Sequence, residues 1–310
     1  MNIIKFAVGV ELEGTYVRYA LVSDKGEILL QGKLDVEGKL MRDDILQTLG
    51  TSIQIAVNKS RERAVKVVGI GIGSPGIVCD GIVTGGAEIL NGWENINLHK
   101  LFSEKFELPV FVDNDANVMG LGEVVYGAAR GCSDAIFITI GAGIGGAIVV
   151  NGNLYGGYKN RGTEMGHVTV NHNGIPCVCG SRGCLEAYAS TAALFRQYAK
   201  MTGVDVNEVD GFYLVERMTQ GDEKAIQCMD EHTDILGHAI AGFINTFAPQ
   251  KVVIGGGIFE AGPYYVELIK NAAFRYAMPD CRVNTDIVGA ALGNNAGCIG
   301  AASLVFRNLP

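Results

Sequence analysis

His167 and three cysteines lie within eighteen residues near the middle of the chain. Imidazole and thiolate groups are the usual ligands of zinc, and four of them in one segment match a tetrahedral site. A C-x-C pair alone would be weak evidence, and free cysteines also occur as small buried residues. Pro176, Gly180 and Gly183 make the segment rich in turns, however, where buried cysteines are not expected to cluster. We therefore predict a zinc site with these four ligands: His167, Cys177, Cys179 and Cys184.

The length and composition indicate a globular protein. The 310 residues are enough for two domains, each with its own core. Hydrophobic residues make up 48% of the chain and charged residues 19%, which excludes the disordered classes. The net charge is −8 and no basic block is present, so sequence-independent binding to nucleic acid or to an anionic membrane is not expected.

Residues 135–158 form an uncharged stretch that is long enough to span a bilayer. Seven glycines, together with Asn151 and Asn153, interrupt it, and β-branched runs flank the glycines. This pattern favours strand, turn and strand over a membrane span. No secretory signal is visible, because Lys5 interrupts the first apolar run, and the remaining cysteines are scattered singly. We expect a cytoplasmic protein in a reducing compartment.

Hydrophobic periodicity predicts alternating strands and helices. The chain opens with a strand at 4–10, a turn at 11–15, and two further strands within 16–34 that are separated by a turn at 24–26. Residues 135–157 repeat this plan, which suggests two similar α/β lobes. Further strands are predicted within 64–78 and at 110–112, 251–258 and 283–290, and helices at 40–63, after 99, and at 116–129, 187–201, 211–219, 222–247, 262–277 and 294–306.

A set of motifs along nearly the whole chain resembles the ROK family (repressors, open reading frames, sugar kinases) of the actin-like ATPase superfamily. The specific part is the Glu-x-x-His element of Glu164 and His167 followed by the cysteine cluster, since glycine motifs alone suit any turn after a strand. The motifs are ELEGT at 11–15, GSPG at 73–76, VDNDAN at 112–117, GAGIGG at 141–146, RGTEMGH at 161–167, CVCGSRGC at 177–184, GGG at 255–257 and NNAGCIGAA at 294–302.

The resemblance implies an α/β fold of two ribonuclease-H-like lobes with a central cleft. The smaller lobe is expected at 1–116 with the C-terminal helix at 293–310, and the larger lobe at 117–292 with the zinc loop. The lobes are expected to close on the sugar and to limit wasteful hydrolysis. Relatives of this kind are commonly dimers or tetramers, so a homo-oligomer, such as a homodimer, is expected.

The resemblance also implies a sugar site. Asp115 is expected to act as the general base that takes the proton from the acceptor hydroxyl. Asp115 also suits the N-cap of the helix predicted at 116–129, and both interpretations stay open. His167 is expected to bind zinc through one ring nitrogen and the sugar through the other, with the zinc structural. The remaining sugar-binding residues are Asn114, Glu164, Glu186 and Gly76, and a simple turn after Pro75 explains Gly76 equally well.

ATP with Mg²⁺ is the phosphoryl donor that the resemblance implies. Two glycine turns are expected to bind the phosphates through backbone N–H groups, and a third glycine segment is expected to lie near the nucleoside. The residues concerned are Glu11, Gly14 and Thr15 in the first turn, Gly141, Ala142 and Gly143 in the second, and Gly256 and Gly257 in the third.

The chain departs from the family pattern at several of these positions. The first turn is usually Asp-x-Gly-Gly-Thr, whereas Glu11 and Glu13 stand here, and two like charges in a low-dielectric site repel each other. Ala142 replaces a threonine that would donate a hydrogen bond to phosphate. Residues 162–163 are Gly-Thr where Ala-Gly is usual, and Asn295 replaces an aspartate.

Three functional hypotheses follow. The first is ATP-dependent phosphorylation of a hexose or N-acetylhexosamine by a glucokinase-like enzyme, because the sugar-binding residues and Asp115 are present. The second, based on Glu13 and Ala142, is a ROK homologue that binds sugar without phosphorylating it. The third is a ROK repressor. Those proteins carry a helix-turn-helix domain before the first phosphate turn, which here starts at residue 11, so direct DNA binding is not expected.

Overall fold

The computed structural model describes residues 4–36, 40–87, 90–257 and 262–309. The chain forms two compact units. Unit 1 contains Met1–Gly131, Ala147–Thr163 and Ala291–Pro310, and unit 2 contains Cys132–Gly146 and Glu164–Ala290. Each unit combines β-strands with helices, which confirms the predicted α/β fold.

Strands and helices alternate along the chain. The first half contains β1 (Phe6–Glu13), β2 (Tyr16–Ser23), β3 (Ile28–Asp35), α1 (Arg42–Glu62), β4 (Val67–Ser74), β5 (Ile77–Cys79), β6 (Ile82–Gly85), β7 (Ile96–Asn97), α2 (Leu98–Phe106), β8 (Val110–Asn114) and α3 (Asp115–Val125). The second half contains β9 (Ala135–Ile140), β10 (Ile144–Val150), β11 (Asn153–Leu154), α4 (Leu185–Ala189), α5 (Thr191–Thr202), α6 (Gly211–Thr219), α7 (Glu223–Phe247), β12 (Lys251–Gly255), α8 (Pro263–Tyr276), α9 (Pro279–Arg282), β13 (Asp286–Gly289) and α10 (Ala296–Asn308).

The main sheet of unit 1 has the strand order β3-β2-β1-β4-β8. The first three strands are antiparallel, and β1, β4 and β8 are parallel, which is the order of the ribonuclease-H-like fold. Glycines let α10 lie directly on this sheet. A Cβ added at Gly9 would lie 1.9 Å from Cys298 O, and one added at Gly71 would lie 1.7 Å from Ala301 O. A separate three-stranded sheet, β5-β6-β7, follows the β4 loop.

The sheet of unit 2 is built on β9, β12 and β13, which are parallel to one another. The first residues of β10 follow β9 after a turn at 141–143. The strand then continues into unit 1, where Val149 and Val150 pair with β11. Parallel strands leave their carboxyl ends on one edge of a sheet, so the turns after β9 and β12 meet at the same edge.

The elements differ from the sequence predictions at several ends. The strand β1 continues to Glu13, so Glu11 and Glu13 belong to a strand and the turn is reduced to Gly14 and Thr15. The predicted helix at 187–201 is two helices, α4 and α5, because the Ser190 hydroxyl accepts a hydrogen bond from the Ala193 N–H and begins a new helix. The last residue of the strand predicted at 251–258 lies outside the described residues, and β12 ends at Gly255.

The compact units are bounded by different residues from the predicted lobes. Residues 117–131, which the sequence assigned to the larger lobe, fall in unit 1 because α3 packs along α10. The two helices are very close, since a Cβ added at Gly300 would lie 1.6 Å from Val118 O. The division at residue 116 stays a prediction. Within the described part of the chain, no helix is both long and apolar enough to cross a membrane.

Candidate functional site

The predicted metal ligands meet in unit 2. The cysteine thiols and the His167 Nδ1 atom all lie within 4.8 Å of one another. The Cys177 Sγ atom is 3.7 Å from His167 Nδ1, and the Cys179 and Cys184 Sγ atoms are 3.7 Å apart. Ligand atoms at ~2.0–2.3 Å from a tetrahedral zinc are separated by roughly 3.5–3.8 Å. The four residues therefore have the donor chemistry of a closed zinc site, and the two pairs at 3.7 Å have its ligand spacing.

His167 occupies this cluster through Nδ1, which leaves its Nε2 atom for another partner. The residue ends a short 3₁₀ turn at Met165–His167 that follows Glu164. Its backbone N–H donates to Glu164 O at 3.0 Å, so the two side chains leave opposite ends of one turn. Glu164 is exposed, whereas His167 is half-buried.

Glu186 lies two residues after Cys184, at the start of α4. Its Oε2 atom accepts a hydrogen bond from the Ile144 N–H at 2.9 Å. A Cβ added at Gly143 would lie 2.7 Å from the same oxygen. The carboxylate predicted to bind sugar thus packs against the glycine turn predicted to bind phosphate.

A cavity of about 690 Å³ opens beside this turn. Three predicted nucleotide-binding residues, Gly141, Ala142 and Gly257, line it. Its volume lies within the range of small-molecule sites. Residues of α5 and α6, which the sequence reasoning did not single out, form the rest of the wall: Thr191, Phe195, Asp210, Gly211, Phe212, Val215, Glu216 and Thr219.

Two glycines shape the backbone around this cavity. Gly256 has φ of 101°, and a Cβ there would lie 2.2 Å from Ile140 O, so only glycine fits after β12. The Gly141 N–H donates to Gly143 O at 2.9 Å and closes the turn on itself. The Phe212 side chain is 68% exposed at the cavity and adds apolar surface to its wall.

In unit 1, polar residues gather at the end of β8. Asn114 is the N-cap of α3, since its Oδ1 accepts from the Ala116 and Asn117 N–H groups at 2.9 and 3.2 Å. The alternative in which Asp115 caps this helix is therefore wrong, because Asp115 is the first helical residue. The N-terminus of a helix favours a negative charge, so this position suits an ionised carboxylate.

Asn114 also contacts the loop after β4. Its Nδ2 group donates to Gly76 O at 3.0 Å, which joins two predicted sugar-binding residues. Gly76 has φ of 91°, and a Cβ there would lie 2.5 Å from Gly85 O, so both conformation and space require glycine. The hydrogen bonds of Asn114 to the helix and to Gly76 leave it less capacity for a sugar than the sequence suggested.

Asp113 is a further acid at this strand end. Its Oδ1 atom accepts from the Asn114 N–H at 2.7 Å, from Asn117 Nδ2 at 2.9 Å and from Asn160 Nδ2 at 3.0 Å. Burial raises the pKa of Asp113, and these hydrogen bonds oppose that shift. Asp113 therefore ties the loop of Asn160 to the segment that presents Asp115.

Glu11 is buried inside unit 1, with 1% of its surface exposed. Among the described residues, its Oε1 atom has no hydrogen-bond partner. Burial raises the pKa of Glu11 well above its usual value, and the negative charges of Glu13 and Asp115 add to that effect. A buried carboxylate oxygen without a hydrogen bond requires a compensating group, and a divalent cation or its water shell would meet that requirement.

Glu13 has partners of its own. Arg18 Nε donates to its Oε1 atom at 2.5 Å, and the Tyr16 hydroxyl donates to its Oε2 atom at 2.5 Å. The Lys33 ammonium lies 3.8 Å from the centre of the Tyr16 ring. The negative charge expected from the sequence is present beside Gly14 and Thr15, but cations on neighbouring strands partly balance it.

The predicted site residues thus form two sets. Glu11, Gly14, Thr15, Gly76, Asn114 and Asp115 lie in unit 1, and the metal ligands, Glu164, Glu186 and the remaining glycines lie in unit 2. That the two sets face one cavity stays a prediction. The contacts of Glu13 with Arg18 and of Asp113 with Asn160 were missed. Arg18 stands opposite Glu11 in the β1–β2 hairpin, so strand register was a usable signal for the first contact.

Comparisons with known proteins show the family and the fold. The model of the ROK family matches residues 7–308. The chain is 35% identical over 316 residues to a glucokinase of Thermotoga maritima, with 97% of this chain and 98% of the relative covered. It is 28% identical to the xylose repressor of Bacillus spizizenii, with 98% of this chain and 77% of that protein covered.

A solved structure has a similar fold over its whole length. It is a ROK family glucokinase from Streptomyces griseus in complex with glucose and AMPPNP, with a TM-score of 0.85 and 30% sequence identity. The match covers 98% of this chain and 100% of that one.

Proposed function

Because the chain belongs to the ROK family, we propose that it is a sugar kinase that transfers the γ-phosphoryl group of ATP to a hydroxyl of a hexose or N-acetylhexosamine. The observation that carries this proposal is the Asp115 carboxylate on the first turn of α3, directly after β8. The glucokinase of Thermotoga maritima, matched over almost its full length, supports the same reaction class.

In this proposal Asp115 accepts the proton of the attacking hydroxyl as the bond to phosphorus forms. The N-terminus of α3 stabilises the carboxylate before the reaction. Asn114 holds the strand end in place through Gly76 and the helix amides. Phosphoryl transfer requires the protein mainly to position the reacting groups and to neutralise charge on the phosphates. A site with one base and many backbone N–H donors meets these requirements.

The nucleotide is assigned to the cavity of unit 2, with the base and ribose against α5 and α6. The N–H groups of Gly14, Thr15, Ala142 and Gly143 are suited to phosphate oxygens, whereas the Gly141 N–H is used within its own turn. Mg²⁺, which neutralises charge on the phosphates when bound, is assigned to the neighbourhood of Glu11, whose buried Oε1 atom has no hydrogen-bond partner among the described residues. Gly257 lines this cavity without adding a side chain to it.

The cluster of His167 and the three cysteines is assigned a structural role. Four protein ligands fill a tetrahedral zinc site, so no position is left for a reacting water. Zinc bound there holds the imidazole of His167 in one tautomer, with Nε2 available to a sugar hydroxyl. Glu164 and the second oxygen of Glu186 supply further acceptors for hydroxyl groups.

The test is a coupled assay of ADP release with a panel of hexoses and N-acetylhexosamines. The wild-type protein should turn over at least one of them. The Asp115→Asn variant, which keeps the helix position and loses the base, should lower kcat by about 10²- to 10⁴-fold while sugar-induced thermal stabilisation persists. A variant with unchanged kcat would contradict the assignment of Asp115.

The second candidate function is sugar binding without phosphorylation. The Glu13 carboxylate at the first turn and the missing hydroxyl at Ala142 favour it. Thermal stabilisation by a sugar, combined with no turnover of any sugar in the panel, would support this function over the kinase.

A further inference from the structure

The carboxylate of Glu186 is bound to the glycine turn, defined as residues 141–143 between β9 and β10. The Ile144 N–H, directly after this turn, donates to Glu186 Oε2 at 2.9 Å. The same oxygen would lie 2.7 Å from a Cβ added at Gly143. One acceptor of Glu186 is therefore used inside unit 2, apart from any contact with a sugar.

The metal loop, defined as residues 164–184, contacts the same residue, Ile144, at its carbonyl group. A Cβ added at Gly166 would lie 2.1 Å from Ile144 O, so the backbone of Gly166 is pressed against that carbonyl. Gly166 precedes His167, and Glu186 follows Cys184 by two residues. Both polar groups of Ile144 are thus contacted by neighbours of two metal ligands.

The position of Glu186 depends on the metal loop. Cys184 is the N-cap residue of α4, and its carbonyl accepts from the Ala187 N–H at 3.1 Å. The Leu185 N–H donates to Val168 O at 2.9 Å, which joins the start of α4 to the residue after His167. On the far side, the Thr191 N–H donates to Gly141 O at 2.8 Å. Residues 184–191 therefore hold the glycine turn at both of its ends.

The glycine turn forms part of the wall of the 690 Å³ cavity, through Gly141 and Ala142. A change in the metal loop that shifts Glu186 therefore changes the amides that this cavity presents. Outer residues that orient a functional group commonly change its affinity without touching the ligand.

We propose that Glu186 is a positioning residue that couples metal binding in the loop to nucleotide binding in the cavity of unit 2. The proposal rests on the proposed function, because it takes this cavity as the nucleotide site. Metal bound by His167 and Cys184 fixes Gly166 and Glu186, and these fix the peptide of Ile144 and the turn before it. Coupling between two sites is reciprocal, so the nucleotide must also strengthen metal binding by the same factor.

The experiment measures the affinity of a Mg²⁺-bound, non-hydrolysable ATP analogue by calorimetry, without sugar, before and after zinc is removed with a chelator. In the wild type we expect removal of zinc to weaken nucleotide binding about tenfold. In Glu186→Ala, binding should already be weaker, and removal of zinc should change it less than twofold. Glu186→Gln keeps an oxygen for the Ile144 N–H and should retain most of the tenfold response.

Glu267→Ala is the matched control, since Glu267 is an exposed acid on α8 in the same unit, and it should behave as the wild type. A tenfold response that persists in Glu186→Ala would overturn the proposal, as would a wild type that does not respond to zinc removal. If the zinc-free protein unfolds, the coupling is tested by measuring zinc affinity instead. Chelator competition gives this affinity with and without nucleotide. A wild-type zinc affinity that the nucleotide leaves unchanged overturns the coupling.

Failure of the two proposals can be told apart. No nucleotide binding to the zinc-loaded wild type contradicts the proposed function and the coupling together. Nucleotide binding that is independent of zinc contradicts the coupling alone.

Discussion

At the scale of single residues, Glu13 determines how much negative charge the turn after β1 presents. Its carboxylate is about one quarter exposed and is paired with Arg18, whose side chain is exposed to a similar extent. The pair balances most of the charge, although Glu13 still raises the pKa of Glu11. A phosphate that approaches this turn meets a partly neutralised anion.

Glu13→Gly should tighten binding of MgATP by about two- to fivefold at low salt, because it removes an anion and frees the Arg18 guanidinium. Arg18→Met should weaken binding, because it leaves the Glu13 carboxylate without its cation. Calorimetric titrations at two salt concentrations measure both effects, which should shrink as salt rises.

The control is Glu107→Gly, which makes the same exchange at another residue of unit 1, the C-cap of α2. It should leave nucleotide affinity unchanged. An unaltered or weaker affinity in Glu13→Gly would show that Glu13 does not repel the nucleotide.

Thr163 stands where the family pattern has glycine, and the backbone explains that pattern. The residue has φ of 68°, which a β-branched side chain rarely adopts. Its hydroxyl donates to Gly162 O at 2.6 Å. The following residue is Glu164, so local strain lies beside a predicted sugar-binding acid.

Thr163→Gly should raise the free energy of unfolding by about 1 kcal/mol, because relief of the backbone strain exceeds the added entropy of glycine in the unfolded chain. Urea unfolding measures this change. Thr163→Ala serves as the control, since it removes the hydroxyl and keeps a Cβ in the same conformation. An equal gain in the free energy of unfolding in both variants would contradict the explanation based on the φ angle of Thr163.

At the scale of elements, α7 and α8 pack through a buried polar pair. The ring nitrogen Nε2 of His232 lies 2.7 Å from the Tyr265 hydroxyl, and both residues are 1% exposed. Burial lowers the pKa of His232 to about 3, so the imidazole is neutral in the folded protein. The unfolded chain takes up a proton below a pKa near 6.5, and the folded chain does not.

Stability should therefore fall as pH drops from 6.5 towards 3. From pH 7 to pH 5 the loss due to His232 is about 2 kcal/mol, because each pH unit below the unfolded pKa costs roughly 1.4 kcal/mol. Urea unfolding at both values, compared between the wild type and His232→Gln, isolates this contribution. His238→Gln, on the same helix but exposed, is the control. An equal pH response in the wild type and His232→Gln would rule out His232 as its source.

At the scale of the whole molecule, the four proposed metal ligands, His167 and the three cysteines, lie in a segment with little regular structure. Between Val168 and Cys184 the backbone forms turns and bridges, and no helix or long strand is present among these residues. Ile175 and Val178 are exposed, so few apolar contacts hold the segment. A bound metal supplies the missing stabilisation.

The purified protein should contain about one zinc per chain, and a chelator should lower its Tm. A ligand present at a thousand times its Kd stabilises the folded state by about 4 kcal/mol. Cys179→Ser should lose zinc and show the lower Tm without chelator. Cys281→Ser, which changes a cysteine outside the cluster, should keep its zinc and the Tm of the wild type. Full zinc content in Cys179→Ser would contradict the four-ligand site.

The order of strands and helices and the grouping of His167 with three cysteines were readable along the chain. Periodicity reports which face of a segment is buried, and the spacing of His167, Cys177, Cys179 and Cys184 places four donors on one short loop. The position of Asp115 after a buried strand was also a local property. The family resemblance added the expected roles of these residues, and the ROK match over 7–308 confirms the family.

Contacts between distant residues were decided only by the tertiary structure. Glu186 reaches the amide of Ile144, 42 residues earlier, and Phe195 and Phe212 line one cavity with Gly141. The packing of α10 on the first sheet brings the last helix into the unit of β1. Each residue restricts its own backbone and its near neighbours, whereas the partner it meets across the fold depends on how all elements pack together. The spacing of residues along the chain therefore identified the candidate functional side chains, and tertiary packing determined which of them are in contact.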